Sequence, residues 1–133
     1  MLTEERALRA YATMMNTFDL SVLEPLLADD FHYASQWVFA EIETKSDYLE
    51  YIVPKLEAIR KSESRVWAEL GHLDHTCPGP CVVLAQGNKD ELVATVLLRV
   101  RDDKIARIDM CAVPPPDSAK RSGIYPPEES LKP

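Results

Sequence analysis

The chain has 133 residues, enough for one domain whose core buries roughly two thirds of the unfolded surface. Its formal charge of −7 repels phosphate backbones and anionic bilayers, and no apolar run is long enough to span a membrane, so neither nucleic acid nor membrane is expected as a partner. Three cysteines, without a charged-then-apolar leader, point to reduced thiols and a cytoplasmic setting.

Leu8, Tyr11, Ala12, Met15 and Phe18 recur at spacings of three and four, which predicts a helix over residues 3–17 with Thr3 at its start. "DLSVLEPLLADDF" follows. Ser21 would cap a short helix there, Pro25 suits only its first turn, and Asp29 and Asp30 would end it.

"FHYASQWV", residues 31–38, reads as a strand. One face carries Phe31, Tyr33, Ser35 and Trp37, and the other His32, Ala34, Gln36 and Val38. "ETKSDYLEYIVPKLEAIRKS" then forms an amphipathic helix with Tyr48, Leu49, Ile52, Leu56 and Ile59 on its apolar side, kinked or broken at Pro54. Tyr48 and Tyr51 are near-neighbours on its surface.

From residue 64 the period changes to two. Strands are expected near 65–74, 81–86, 91–101 and 104–112, with "CPGPC", "QGNKDE" and "RDDK" as turns. Helices first and consecutive strands later define an α+β domain over residues 1–113, with helices against one face of an antiparallel sheet. Residues 114–133 hold most of the chain's ten prolines and read as an extended tail wrapping the domain or a partner.

Several residues invite a functional reading. The aromatic face of 31–37 is either core filling or a pocket wall, because pockets mix aromatic area with a few hydroxyls such as those of Tyr33 and Ser35. In "KIARIDMCAV" the face of Ala106, Ile108, Met110 and Ala112 is apolar and must be buried. Asp109 then sits outside beside Arg107, unless a bulge turns it inward, where desolvation would make it a usable acid or base.

"GHLDHTCPGPC" places His72, Asp74, His75, Cys77 and Cys81 within ten residues. An extended strand sends His72 and His75 to opposite faces, and no standard ligand spacing is matched, so neither a metal nor another cofactor is expected. Trp67 reads as packing, on a sheet face or at a dimer contact.

The order of elements, with "YATMMNTFDLSVLEPLLADDF" at its start and "LRVRDDKIARIDM" at its end, resembles the nuclear-transport-factor-two-like superfamily, also called SnoaL-like or cystatin-like cone folds. The resemblance covers residues 3–113 and implies a curved antiparallel sheet wrapped around the N-terminal helices, enclosing a cone-shaped cavity. It also implies homodimers formed through the outer face of the sheet.

Against the ketosteroid isomerases of that superfamily, Tyr11 resembles the oxyanion tyrosine. Ser35 falls where they carry the aspartate base, and Val96 near the protonated acid. A lone serine hydroxyl is too weak a base for steroid isomerisation. The resemblance therefore implies a small-molecule binder, with Tyr11, Phe31, Tyr33, Ser35, Trp37, Tyr48 and Val96 lining the cone around an apolar or aromatic ligand. Were it an enzyme, Tyr11 would donate to a substrate oxygen and Asp109 accept the proton. The alternative is a non-catalytic dimeric interaction module whose tail reaches its partner.

Overall fold

The computed structural model describes residues 1–37, 41–75 and 77–127. Helix α1 spans Glu4–Thr17, and the Thr3 hydroxyl accepts from the Arg6 N–H at 3.1 Å, as the sequence suggests. Phe18 ends it in a left-handed conformation at φ 63°. The short helix expected over the next residues does not form. Two 3-10 turns, Leu20–Val22 and Glu24–Leu26, carry the chain onward, and the cap is Asp19, not Ser21: its carboxylate accepts from the Ser21 N–H and hydroxyl.

Strand β1 spans Leu27–Ser35, so Asp29 and Asp30 belong to it. They are exposed, where its pairing is interrupted between Leu27 and His32. Helix α2, Lys45–Lys61, runs through Pro54 without a break. Pro54 is on the exposed side, where water can take the carbonyl that the missing N–H would have bonded. Strands β2 (Val66–Leu73), β3 (Gly79–Gln86), β4 (Leu92–Arg101) and β5 (Lys104–Cys111) fall close to their expected bounds. A short β6, Lys120–Arg121, completes the sheet.

The order is β1-β5-β4-β3-β2-β6, in a curved, unclosed sheet. It is mixed rather than antiparallel, because β1 lies parallel to β5 with Tyr33 opposite Ile108. Neighbouring strands joined by hairpins must be antiparallel. The return from β1 to β5 instead passes through α2 and three strands, so either sense is open to it.

Both helices cover one face: α1 lies against β2, β3 and β4, and α2 against β1. Their apolar residues, including Leu8, Met14, Met15, Ile52 and Leu56, close with Phe31, Ala68, Leu84, Val96 and Ile108 into the main core. This is the inner face of the sheet. On the outer face, a second small core of Leu73, Cys81 and Val83 is covered by Ala119.

Ala119 belongs to the proline-rich segment, and residues 114–127 lie on their own domain. β6 pairs with β2, and the Leu70 N–H donates to the Ile124 carbonyl at 2.9 Å. The Thr95 hydroxyl donates to the Pro114 carbonyl. Buried Glu69 accepts from Arg121 Nε at 2.7 Å and from the Gly123 N–H at 2.8 Å. At the end of α1, Asn16 Nδ2 donates to the Pro126 carbonyl at 2.6 Å. Gly71 makes room for this crossing, since a Cβ there would meet Lys120 O and Val83 Cγ2 at 3.1 Å each. Residues 128–133 lie outside the described residues.

Candidate functional site

The inner face concentrates the chain's tyrosines. Alternation along β1 aims Phe31 and Tyr33 at α2, and the three-residue spacing on α2 places Tyr48 and Tyr51 side by side against them. Phe31 and Tyr48 meet edge to face at 5.0 Å. Tyr33 lies 5.3 Å from Tyr48 and 5.4 Å from Tyr51, and Tyr48 is 6.2 Å from Tyr51. Tyr11, Phe31, Tyr48 and Val96 are at most 1% exposed, and Tyr33 is 3% exposed. Tyr51, partly buried against this core, completes the group.

Burial pushes the phenols of Tyr11, Tyr33 and Tyr48 above their ordinary value. Their mutual proximity adds to it, through Tyr48 and Tyr51 for Tyr11, Tyr11 and Tyr51 for Tyr33, and Tyr33 and Tyr51 for Tyr48. At neutral pH they are uncharged donors. Tyr33 donates to Met110 Sδ at 3.9 Å, whereas the Tyr48 hydroxyl is buried with no partner among the described residues. An orphaned hydroxyl of that kind costs about 1–3 kcal/mol.

No proton acceptor of useful strength sits among them. The buried polar residues described are Asn16, Glu69 and Thr95. Asn16 is spent on the Ala68 backbone and Pro126, while Glu69 and Thr95 serve the outer face.

Asp109 is on that outer face too, opposite Leu97, with both carboxylate oxygens bonded to Arg107 Nε at 2.9 and 3.1 Å. The β4–β5 irregularity falls between Arg99 and Val100, where it skips Ala106, so no bulge turns Asp109 inward. Arg107 also holds Glu41 at 3.2 Å, and together with His32 keeps that carboxyl below its usual range. Tyr11 and Asp109 thus lie on opposite sides of the sheet, and the geometry does not let them share a substrate.

Trp37 also departs from expectation. β1 ends at Ser35, alternation ends with it, and Trp37 lies in the following turn at 55% exposure. Ser35 is half-buried and its hydroxyl accepts from the Trp37 N–H at 3.2 Å. Val38 lies outside the described residues.

In the 72–81 segment, His72 and Lys120 both turn to Asp74, at 3.4 and 3.3 Å. Among the described residues no three His, Cys, Asp or Glu side chains converge as a metal site would need. The three thiols are unbonded, and burial pushes Cys81 and Cys111 up to about 11. Trp67 packs edge to face on Tyr125 at 6.1 Å, with the Arg65 guanidinium 3.8 Å above its ring.

A concavity among the described residues lies at the open edge of β4. The β3–β4 ladder stops at Val82 opposite Val96, so residues 98–101 of β4 have no ladder partner in β3. A groove of about 820 Å³ opens there, lined by Pro78, Gly79, Pro80, Leu97, Arg99 and Cys111 among others. Nothing in the sequence pattern marks it except Pro80, whose missing N–H weakens a strand interior.

Solved structures share this architecture. An NTF2-like protein of unknown function from Cytophaga hutchinsonii superposes with a TM-score of 0.55 at 11% identity, over 86% of this chain and 95% of that one. A candidate polyketide cyclase from Pseudomonas putida does so at 0.55 and 15% identity, over 84% and 92%. A candidate ketosteroid isomerase from Kribbella flavida gives 0.53 and 19%, over 90% and 78%. No family model and no curated protein matches the sequence.

The chain therefore has the NTF2-like α+β cone fold. Identities this low establish the fold alone, and the fold hosts many functions. Among the described residues no helix is long and apolar enough to cross a membrane.

Proposed function

We propose that this protein binds a small apolar or aromatic molecule in its cone without acting on it chemically. The observation that carries this reading is the buried, unpartnered hydroxyl of Tyr48, whose ring lies beside those of Tyr33 and Tyr51. Neutral phenols donate hydrogen bonds, so the ligand carries an acceptor such as a ketone, ester or ether oxygen on an apolar frame. The raised phenol values and the distance of Asp109 from the cone argue against acid–base catalysis by the pair Tyr11 and Asp109. Ligand entry requires the aromatic side chains to part, since Tyr11, Phe31, Tyr33 and Tyr48 are at most 3% exposed. Phe31, Tyr33 and Val96 would form the apolar wall, with Tyr11 near the acceptor and Ser35 at the rim.

Native mass spectrometry of freshly purified protein, against a denatured control, tests this. A co-purifying apolar molecule is expected, lost in Tyr48→Phe while the variant stays folded. A molecule retained equally by Tyr48→Phe would overturn the role of that hydroxyl.

A second reading, a dimeric interaction module, draws on the same dense interior and on two of the five exposed large apolar side chains among the described residues, Trp37 at 55% and Val113 at 65% exposure. Gln36 ties them to one corner through its bonds to the backbone of Ala112 and Val113. A homodimer through that corner would halve its sedimentation mass in Trp37→Glu. An unchanged mass would sink it. On either reading the chain is a single domain working in the cytoplasm, where its three thiols stay reduced.

A further inference from the structure

The groove opens where β4 parts from β3 and draws on both faces of the sheet, with Leu97, Arg99 and Arg107 from the outer face and Leu98, Val100 and Met110 from the inner. Its apolar surface comes from Pro78, Pro80, Leu97, Val113 and Pro114, and its volume of about 820 Å³ falls in the range of small-molecule sites. Two arginines reach it, and they are direct cross-strand neighbours, Arg99 on β4 and Arg107 on β5. Like charges placed so are destabilising unless anions separate them.

Arg107 has its anions, Asp109 and Glu41. Arg99 has none: among the described residues no carboxylate lies within ion-pair distance of it. The acids in the lining are Asp109, already engaged by Arg107, and Glu4 from the first turn of α1, which makes no ion pair with Arg99.

A second, separate observation points the same way. Beyond Val96, β4 has no ladder partner in β3, and Pro80 across the gap has no N–H to offer. Backbone groups on that edge of residues 98–101 need partners from outside the ladder. A polar head placed beside Arg99 would meet both the guanidinium fork and this unladdered edge.

We propose that the groove is a binding site for an amphipathic monocarboxylate, its apolar body on Leu97 and the prolines and its carboxylate on Arg99. The guanidinium fork matches a carboxylate in two parallel hydrogen bonds, which an alcohol or amide of the same shape cannot form.

Calorimetric titration of the full chain with decanoate, and separately with 4-phenylbutyrate, tests the site. One of the two is expected to bind, with the matching neutral alcohol about tenfold weaker or worse. Arg99→Gln weakens binding by about tenfold or more, and Arg99→Lys, which keeps the charge without the fork, falls between. Tyr48→Phe leaves it unchanged. Equal binding by Arg99→Gln and the native protein would overturn the proposal, as would alcohol and acid binding alike or no heat with either acid. Loss of binding in Tyr48→Phe with none in Arg99→Gln would place the acid in the cone, overturning the groove while leaving the cone reading intact.

Discussion

On the inner face of the sheet Phe31 and Tyr48 meet at 5.0 Å with no ion among them. On the outer face Glu69 is 3% exposed, and Arg121 is fastened to it at 2.7 Å. The first region is held by apolar area and ring packing, which forgive small changes of angle. The second is held by a charge that has left water and depends on two partners from the proline-rich segment, Arg121 and the Gly123 N–H. Burial is equally deep in both, yet they should fail differently. The inner face should lose stability in proportion to volume removed, and the outer face according to whether its charge keeps a partner.

Phe31→Ala should show the largest effect, about 3–5 kcal/mol in denaturant unfolding, because the ring is fully buried and the cavity cannot collapse between sheet and helix. Arg121→Ala should follow at about 2–3 kcal/mol, since it leaves Glu69 with only the Gly123 N–H. Glu69→Gln in the same background should recover part of that loss, and no recovery would mean that the charge is not what matters. Gly71→Val should cost about 1–3 kcal/mol by pushing Lys120 and Val83 away, with proteolysis appearing first after residue 114.

Tyr48→Phe should be the mildest: neutral, or stabilising by about 1 kcal/mol, because it removes a buried hydroxyl with nothing to bond.

The contrast extends to pH. Tyr11, Tyr33 and Tyr48 have folded-state values raised above the ordinary 10.0, so the folded state holds their protons more tightly than the unfolded chain does. Their stabilising contribution is complete below about pH 10 and is lost as pH rises beyond it. Tyrosinate absorbance should therefore appear together with loss of the folded signal. Tyrosinate from three phenols in a still-folded protein would show the cone open to water.

Periodicity made α1, α2 and strands β2 to β5 legible, because each buries one face at a fixed spacing. The same spacing, read with the family resemblance, put Phe31 and Tyr33 on the inward face, where the structure brings their rings to Tyr48. It overran at Trp37, where alternation was carried two residues past the end of β1, since nothing in "SQW" announces that the ladder to β5 stops at Ser35. The parallel sense of β1 was hidden for a different reason. Pairing over long sequence separation leaves no local trace, and adjacent antiparallel hairpins bias the reading.

Two further features depend on three-dimensional register alone. The orphaned Tyr48 hydroxyl is a matter of what fails to reach it, and the groove follows from a ladder that ends at Val82. The proline-rich sequence excludes a long α-helix in the last segment, yet it does not reveal that Glu69 waits beneath it.

The bond between Asn16 and Pro126 joins positions 110 residues apart. During synthesis the first helix leaves the ribosome long before the residue that satisfies its buried amide, and β1 likewise precedes its β5 partners by 75 to 78 positions. Closing such long loops is slow, and the exposed edges are prone to wrong pairing in the meantime. This fold can thus close only after residue 126 has been translated, so its unfinished sheet is a natural client for chaperones that shield exposed edges.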